Sequence, residues 1–247
     1  MYTTLHCISL RSVRHSDKAS ILSVWTAENG RMSLSMPEGA GREARRRRAL
    51  TMPLAMFECE ADIRAQARRD IYSVRDLKGH SGSMSLHSRP AKSCMAVFVA
   101  DVLDLLLRES QPDEALWDFL SESVGVLAMC DSGRALQNFP MVFLYRLMHF
   151  MGIGPDLSDY RPGAIFDLRE GRFRMSAPFH SDIVSPSDAP VIAFLARMDY
   201  VNMWRLRIPA PQRREITDRI LDYYSRHITR LSPLRSLEIL RSVASAN

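Results

Sequence analysis

Some features are scarce in this chain of 247 residues. No apolar run approaches the roughly 20 residues that a membrane-spanning helix needs. The opening MYTTLHCISLRSVRH alternates apolar and polar residues rather than giving a secretion signal's unbroken apolar stretch, so the expected location is the cytoplasm. Cysteine is sparse. Cys7, Cys59, Cys94 and Cys130 are too far apart for a CxxC zinc half-site, and in a cytoplasmic chain they read as buried, reduced thiols. Nucleotide and hydrolase signatures are absent: there is no GxxxxGK[ST] loop, GxGxxG turn, GxSxG elbow or HExxH helix. The seven histidines show no ligand spacing, and His149, in an apolar run, reads as a core or boundary residue. Lysine is nearly missing. Of 33 basic residues only Lys18, Lys78 and Lys92 are lysines, and the arginines that replace them can fork onto phosphate and stack on bases.

What is present is an ordinary globular composition, 46% hydrophobic and 25% charged, which excludes wholesale disorder. The net charge of +5 is unevenly placed. Residues 1–80 hold 14 Lys and Arg against 9 Asp and Glu, whereas residues 81–247 hold 19 of each. The basic excess therefore belongs to the first third, and it points to an anionic partner there.

The first 80 residues read as β-rich. Strands are expected over Tyr2–Val13, Ser20–Thr26, Arg31–Met36, Pro53–Ile63 and Arg68–Leu77, with a Glu28-Asn29-Gly30 turn between the second and third. Met32, Leu34 and Met36 share one face, as do Phe57, Cys59 and Ala61, with Glu58, Glu60 and Asp62 opposite. Five short strands in such a length suit a small closed barrel, which leaves no exposed edge. His80–Arg89 reads as a polar linker, giving domains 1–80 and 81–247. Beyond it helices are expected over Pro90–Arg108, from Pro112, over Asn138–Met151, Pro211–Ile228 and Pro233–Val243. Asn138 is the expected cap of the central one, with Pro140 in its first turn. A small hairpin near 164–175 turns at Gly171. The fold class is thus α+β: a five-stranded barrel of OB-fold type, then an α-helical domain with a hairpin insert.

The strongest chemical signal is Gly41-Arg42-Glu43-Ala44-Arg45-Arg46-Arg47-Arg48, read as an arginine-rich loop between two strands. Crowded like charges need a counter-charge or full solvation, and a phosphodiester backbone supplies the first. Arg11, Arg14, Arg31, Arg68 and Arg69 extend the basic surface if they share a face. Tyr2, Trp25, Phe57 and Tyr72 could stack bases, although core positions suit them better. The expected DNA-binding set is Arg11, Arg31, Arg42, Arg45, Arg46, Arg47 and Arg48, with no catalytic residue, metal or cofactor. Asp101 and Asp104, three apart on a helix, could chelate a metal, but a solvated face is the commoner reason for such a pair.

Certain runs match a known pattern in order and spacing. These are Ile8-Ser9-Leu10-Arg11 with Asp17-Lys18, Ile21-Leu22, Thr26 and Glu28-Asn29-Gly30-Arg31; then Asn138-Phe139-Pro140; then Phe166-Asp167-Leu168-Arg169-Glu170-Gly171-Arg172-Phe173; and finally Tyr223–Ile228 with Leu234–Leu240. Their succession resembles the RecO family of recombination mediators, in the form found in Bacteroidetes-type bacteria. The resemblance implies an OB-fold followed by helices and a non-enzymatic, nucleoid-associated role in repair. It implies binding of single- and double-stranded DNA, annealing of complementary strands, and work with RecR and single-stranded DNA-binding protein (SSB) to load RecA. The SSB tail, acidic with an apolar end, would want an apolar pocket rimmed by arginine, for which Arg134 and Arg146 are candidates. Many family members carry a four-cysteine zinc site. Here only Cys94 and Cys130 lie in the helical part, so no zinc is expected and packing must hold the hairpin.

Three other readings compete. A generic OB-fold RNA-binding module shares the basic barrel and would prefer RNA through the 2′-OH. A metal-dependent nuclease would use Asp101, Asp104 or the acidic strand face. A scaffold would set the arginines against an acidic protein.

Overall fold

The computed structural model describes residues 2–63, 71–83, 85–108, 111–231 and 234–245. By packing, the chain groups into two compact units, Met1–Met129 with Leu234–Asn247, and Cys130–Pro233.

The first unit begins with five strands: β1 (Thr3–Arg14), β2 (Ala19–Thr26), β3 (Gly30–Pro37), β4 (Met56–Ala61) and β5 (Ile71–Gly79). They close into a barrel in the order β1-β2-β3-β5-β4, with β4 returning to β1. All pairings are antiparallel except β3 with β5, which is the OB-fold arrangement. The expected alternation holds: Met32, Leu34 and Met36 point inward with Phe57, Cys59 and Ala61, meeting Leu5, Cys7, Leu22 and Val24. Gly30 takes φ 65° where β2 turns into β3, a conformation that glycine enters without a side-chain clash. A register shift between Ser9 and Arg11 marks a bulge in β1. Ile8 and Leu10 are buried on its outer face, and β1 is the strand against which α2 (Pro90–Leu106) packs.

Between β3 and β4 lies α1 (Arg42–Leu50), where a loop was expected. The arginine run is a helix because its other residues support one. Ala44 and Leu50 face the barrel, and Glu43 sits in the first turn within ion-pair reach of Arg46 and Arg47, at 3.3 and 3.8 Å. The expected linker is also pinned rather than loose. Ser83 is buried with its hydroxyl accepting from the Met56 N–H, and His87 Nε2 bonds the Pro53 carbonyl at 3.0 Å. Burial pushes the His87 imidazole below its ordinary pKa. The unit is completed by α3 (Glu114–Met129) and α7 (Arg235–Ser245), the latter packed on α2.

The second unit is built around α4 (Gly133–Phe150), which packs on α6 (Ala210–His227) and the shorter α5 (Ala189–Leu195). Helix α4 starts five residues earlier than the Asn138 start the sequence implies. Ser132 is its cap, accepting from the Ala135 N–H, and Pro140 lies in the helix interior. Asn138 is buried within it instead. The helix closes on Gly152 at φ 69°, with the Ile153 N–H reaching back to the Met148 carbonyl. His149 is exposed rather than core, edge-on to the Tyr145 ring. A sheet of three short strands, β6 (Ile165–Asp167), β7 (Arg172–Arg174) and β8 (Ile183–Val184), contains the expected hairpin and adds one strand. Asp182 ties it down by binding Arg169 of the hairpin turn, at 2.6 Å, and Arg226 of α6. Those two guanidiniums hold the Asp182 carboxyl down at about 2, with Arg226 the larger cause.

Candidate nucleic-acid interface

Two groups of arginines stand on the barrel unit. The first is α1. At about 100° per residue, Arg42 and Arg46 fall on the side opposite Ala44, Arg45 lies about a quarter turn from it, and Arg47 and Arg48 lie on its own side, with Arg47 the one that is half-buried toward the barrel. Arg42 and Arg45 are exposed and have no side-chain partner among the described residues. Arg46 donates to the Leu77 carbonyl at 3.2 Å, and Arg48 donates to the Gly39 carbonyl at 3.0 Å with Glu38 at 3.6 Å. Arg47 is only 22% exposed, paired with Glu43 and donating to the Pro37 carbonyl at 3.4 Å. The helix lies beside β5, and the seam is a groove of about 390 Å³ lined by Arg46, Arg47, Arg75 and Lys78, with Glu43 and Asp76 as its acids. Arg75 extends from it to Tyr2, its guanidinium 3.4 Å from the ring centroid.

The second group meets at Asp104 of α2. Arg31, 17% exposed on its side chain, is ion-paired to Asp104, and Arg11 approaches the same carboxylate at 3.9 Å. Asp104 is buried. It is therefore not the solvated residue that the helix spacing suggested, but the counter-charge that lets Arg31 sit at the barrel wall. No group of three or more His, Cys, Asp or Glu suited to a metal ion occurs among the described residues. Arg14 pairs with its neighbour Asp17 at 2.8 Å, and Arg68 and Arg69 lie outside the described residues.

The aromatics divide as burial dictates. Trp25 and Phe57 are core residues, Tyr72 is half-buried against the barrel core, and Tyr2 is exposed under Arg75, not in the core as its sequence context suggested. The cysteines divide too. Cys7 and Cys59 are buried 3.8 Å apart, where the contact with Cys59 and then burial push the Cys7 thiol well up, whereas Cys94 and Cys130 are only partly buried. Arg146 stacks over Tyr200 at 4.8 Å and Arg134 is exposed. Sequence reasoning missed the helical phase of α1 and the role of Asp104. The first was readable from Glu43 with Arg46 and Arg47 at i+3 and i+4; the second joins residues 73 apart and left no local signal.

A family profile described as "Recombination protein O C terminal" matches residues 87–238. The chain belongs to the RecO family. Proteins named "DNA repair protein RecO" align along nearly the whole length. The one from Phocaeicola vulgatus is 32% identical over 96% of this chain and 97% of its own. That from Azobacteroides pseudotrichonymphae is 30% identical over 96% of both. That from Porphyromonas gingivalis is 29% identical over 98% of this chain and 99% of its own. The RecO barrel and the helices with their small sheet are thus the expected fold. The residues of the hairpin do not fit a zinc site. Residues 165–174 contain no cysteine, and the buried Asp167 accepts the backbone N–H groups of Arg169 and Glu170, at 2.9 and 3.2 Å, with Arg174 and His180 each 3.5 Å away. Side-chain packing holds this RecO hairpin, through Phe166 against Phe173 and Tyr223.

Proposed function

We propose that this RecO-family protein binds single- and double-stranded DNA through the arginine face of its barrel, anneals complementary strands, and with RecR helps load RecA onto SSB-coated DNA, without catalysing a reaction. The observation that carries the proposal is the pair Arg42 and Arg45, exposed cations with no side-chain partner among the described residues, on one short helix with the exposed Arg46 and Arg48. Two complementary strands repel as polyanions. A dense cationic face lowers that repulsion and releases counterions while leaving base edges free to pair. Arg47 supports the helix from below, and Arg11 and Arg31 form a second contact that Asp104 partly neutralises.

The test is annealing of complementary labelled oligonucleotides, alone and coated with SSB. Wild type is compared with the combined Arg42→Ala, Arg45→Ala, Arg46→Ala and Arg48→Ala variant. Annealing by wild type and its loss in the variant supports the reading. A protein that binds DNA but never anneals it overturns the mediator role, and tighter binding of RNA than DNA moves it to a general OB-fold RNA-binding module.

A further inference from the structure

The second unit carries a surface that its fold does not need. From the end of α5 onward, the chain over Phe194 to Arg207 has its side chains sorted in two directions. Leu195, Tyr200, Met203 and Leu206 are buried. They hold the backbone down, with Tyr200 stacked on Phe139 at 5.5 Å. Buried Asn138 donates its amide to the carbonyls of both Met203 and Leu206, 2.9 Å each. The backbone on either side of Trp204 and Arg205 is therefore fixed before anything binds. Outward, the same stretch presents Phe194, Arg197, Val201, Trp204, Arg205 and Arg207. Val201 is 83% exposed and Trp204 46%, a poor arrangement for stability because apolar surface is left in water. The three arginines have no ion-pair partner among the described residues, and Asp199 is the single acid in the stretch. The Arg205 guanidinium sits 5.3 Å from the Trp204 ring.

We infer that this stretch is a second docking surface for single-stranded DNA, with Trp204 as a stacking platform and Arg197, Arg205 and Arg207 taking phosphates. Uncompensated cations alternating with exposed rings complement a chain that alternates phosphates and bases. A duplex hides its base faces inside the stack, so the aromatic part of the surface selects unpaired strands while the arginines alone would not. The inference rests on the DNA-binding role proposed above. It adds that annealing uses two contacts, one on the barrel unit and one here.

The experiment uses the full chain and a fluorescent oligo(dT), with a blunt duplex of equal length as the comparison. Trp204→Ala should weaken oligo(dT) binding about 5- to 150-fold, the range of one lost stacking contact, and change duplex binding less than about twofold. Trp204→Phe should restore most of it. A photoreactive 5-iodouracil strand should crosslink within 194–207, and it should still do so in the Arg42→Ala, Arg45→Ala variant. Unchanged oligo(dT) binding by Trp204→Ala overturns the inference while leaving the barrel role standing. Equal weakening for duplex and single strand overturns it as well, since stacking would then add nothing. Wild type that binds neither nucleic acid, but binds polyglutamate through Arg197, Arg205 and Arg207, overturns both readings in favour of an acidic protein partner.

Discussion

The helical phase of α1 makes a prediction that a loop of equivalent arginines does not. Each phosphate neutralised on a single strand adds about −0.7 to the slope of log K against log salt. Arg42, Arg45, Arg46 and Arg48 are exposed, so α1 should contribute about −2.8, or about a 50-fold loss of affinity between 50 and 200 mM salt. Arg42→Ala with Arg45→Ala removes the two exposed cations that have no side-chain partner among the described residues and should shrink the slope by about 1.4, reducing that helix's share to about sevenfold over the same range. Arg47→Ala is the internal control. Its guanidinium is committed to Glu43 and the Pro37 carbonyl, so the slope should stay put while the protein loses about 1 kcal/mol from the packed stem and its hydrogen bond. Fluorescence anisotropy on a labelled oligonucleotide at four or five salt concentrations measures the slopes, and urea titration measures the stability. If Arg47→Ala flattens the slope as much as Arg42→Ala or Arg45→Ala does, the helix does not present its arginines to DNA as their exposure implies, and the clamp role of α1 is refuted.

Three further outcomes follow from the remaining contacts. Asp104→Asn strips the counter-charge from the part-buried Arg31 and should destabilise the barrel unit by about 3 kcal/mol, the low end for a broken buried pair, read as a lower urea midpoint. Asn138→Leu leaves the Met203 and Leu206 carbonyls without their donor, which should cost roughly 2–6 kcal/mol in chemical denaturation and expose backbone amides of 203–206 to hydrogen exchange. Asp182 has a folded pKa lowered from 3.8 to about 2, so its ion pairs stabilise the protein above pH ~4 and that contribution fades as pH falls toward 2. Asp182→Asn should lose stability at pH 7 and show a smaller further loss between pH 4 and 2 than wild type, as followed by circular dichroism.

The barrel was legible because its signal is local. Met32, Leu34 and Met36, and Phe57, Cys59 and Ala61, alternate with polar residues at the strand period, and a half-buried sheet enforces that period residue by residue. The main helices were legible for the same reason at their own period. Helix α1 was not, because the charge of its arginines outweighed the weaker evidence of Ala44, Leu50 and the Glu43 pairs. Pro140 misled in the other direction. Proline favours a first turn, but here tertiary burial keeps it inside α4, and Ser132 caps the helix instead. In the interface, residue type was readable and accessibility was not. Arg45 and Arg47 look alike in sequence, yet one faces water and the other lies over the barrel. Arg31 looks like a free cation until α2 brings Asp104 to it.

The packing of α7 on α2 has a consequence for synthesis. About 130 residues separate the end of α2 at Leu106 from the start of α7 at Arg235. At the usual pace of translation, roughly 5–20 residues per second, α2 waits about 6 to 26 seconds for its partner. The second unit is contained within that interval, so it can fold to completion while the first is still missing a helix. The N-terminal unit, begun first, is finished last. During the wait the flank of α2 destined for α7 is without that partner, so this seam is the last part of the first unit to close.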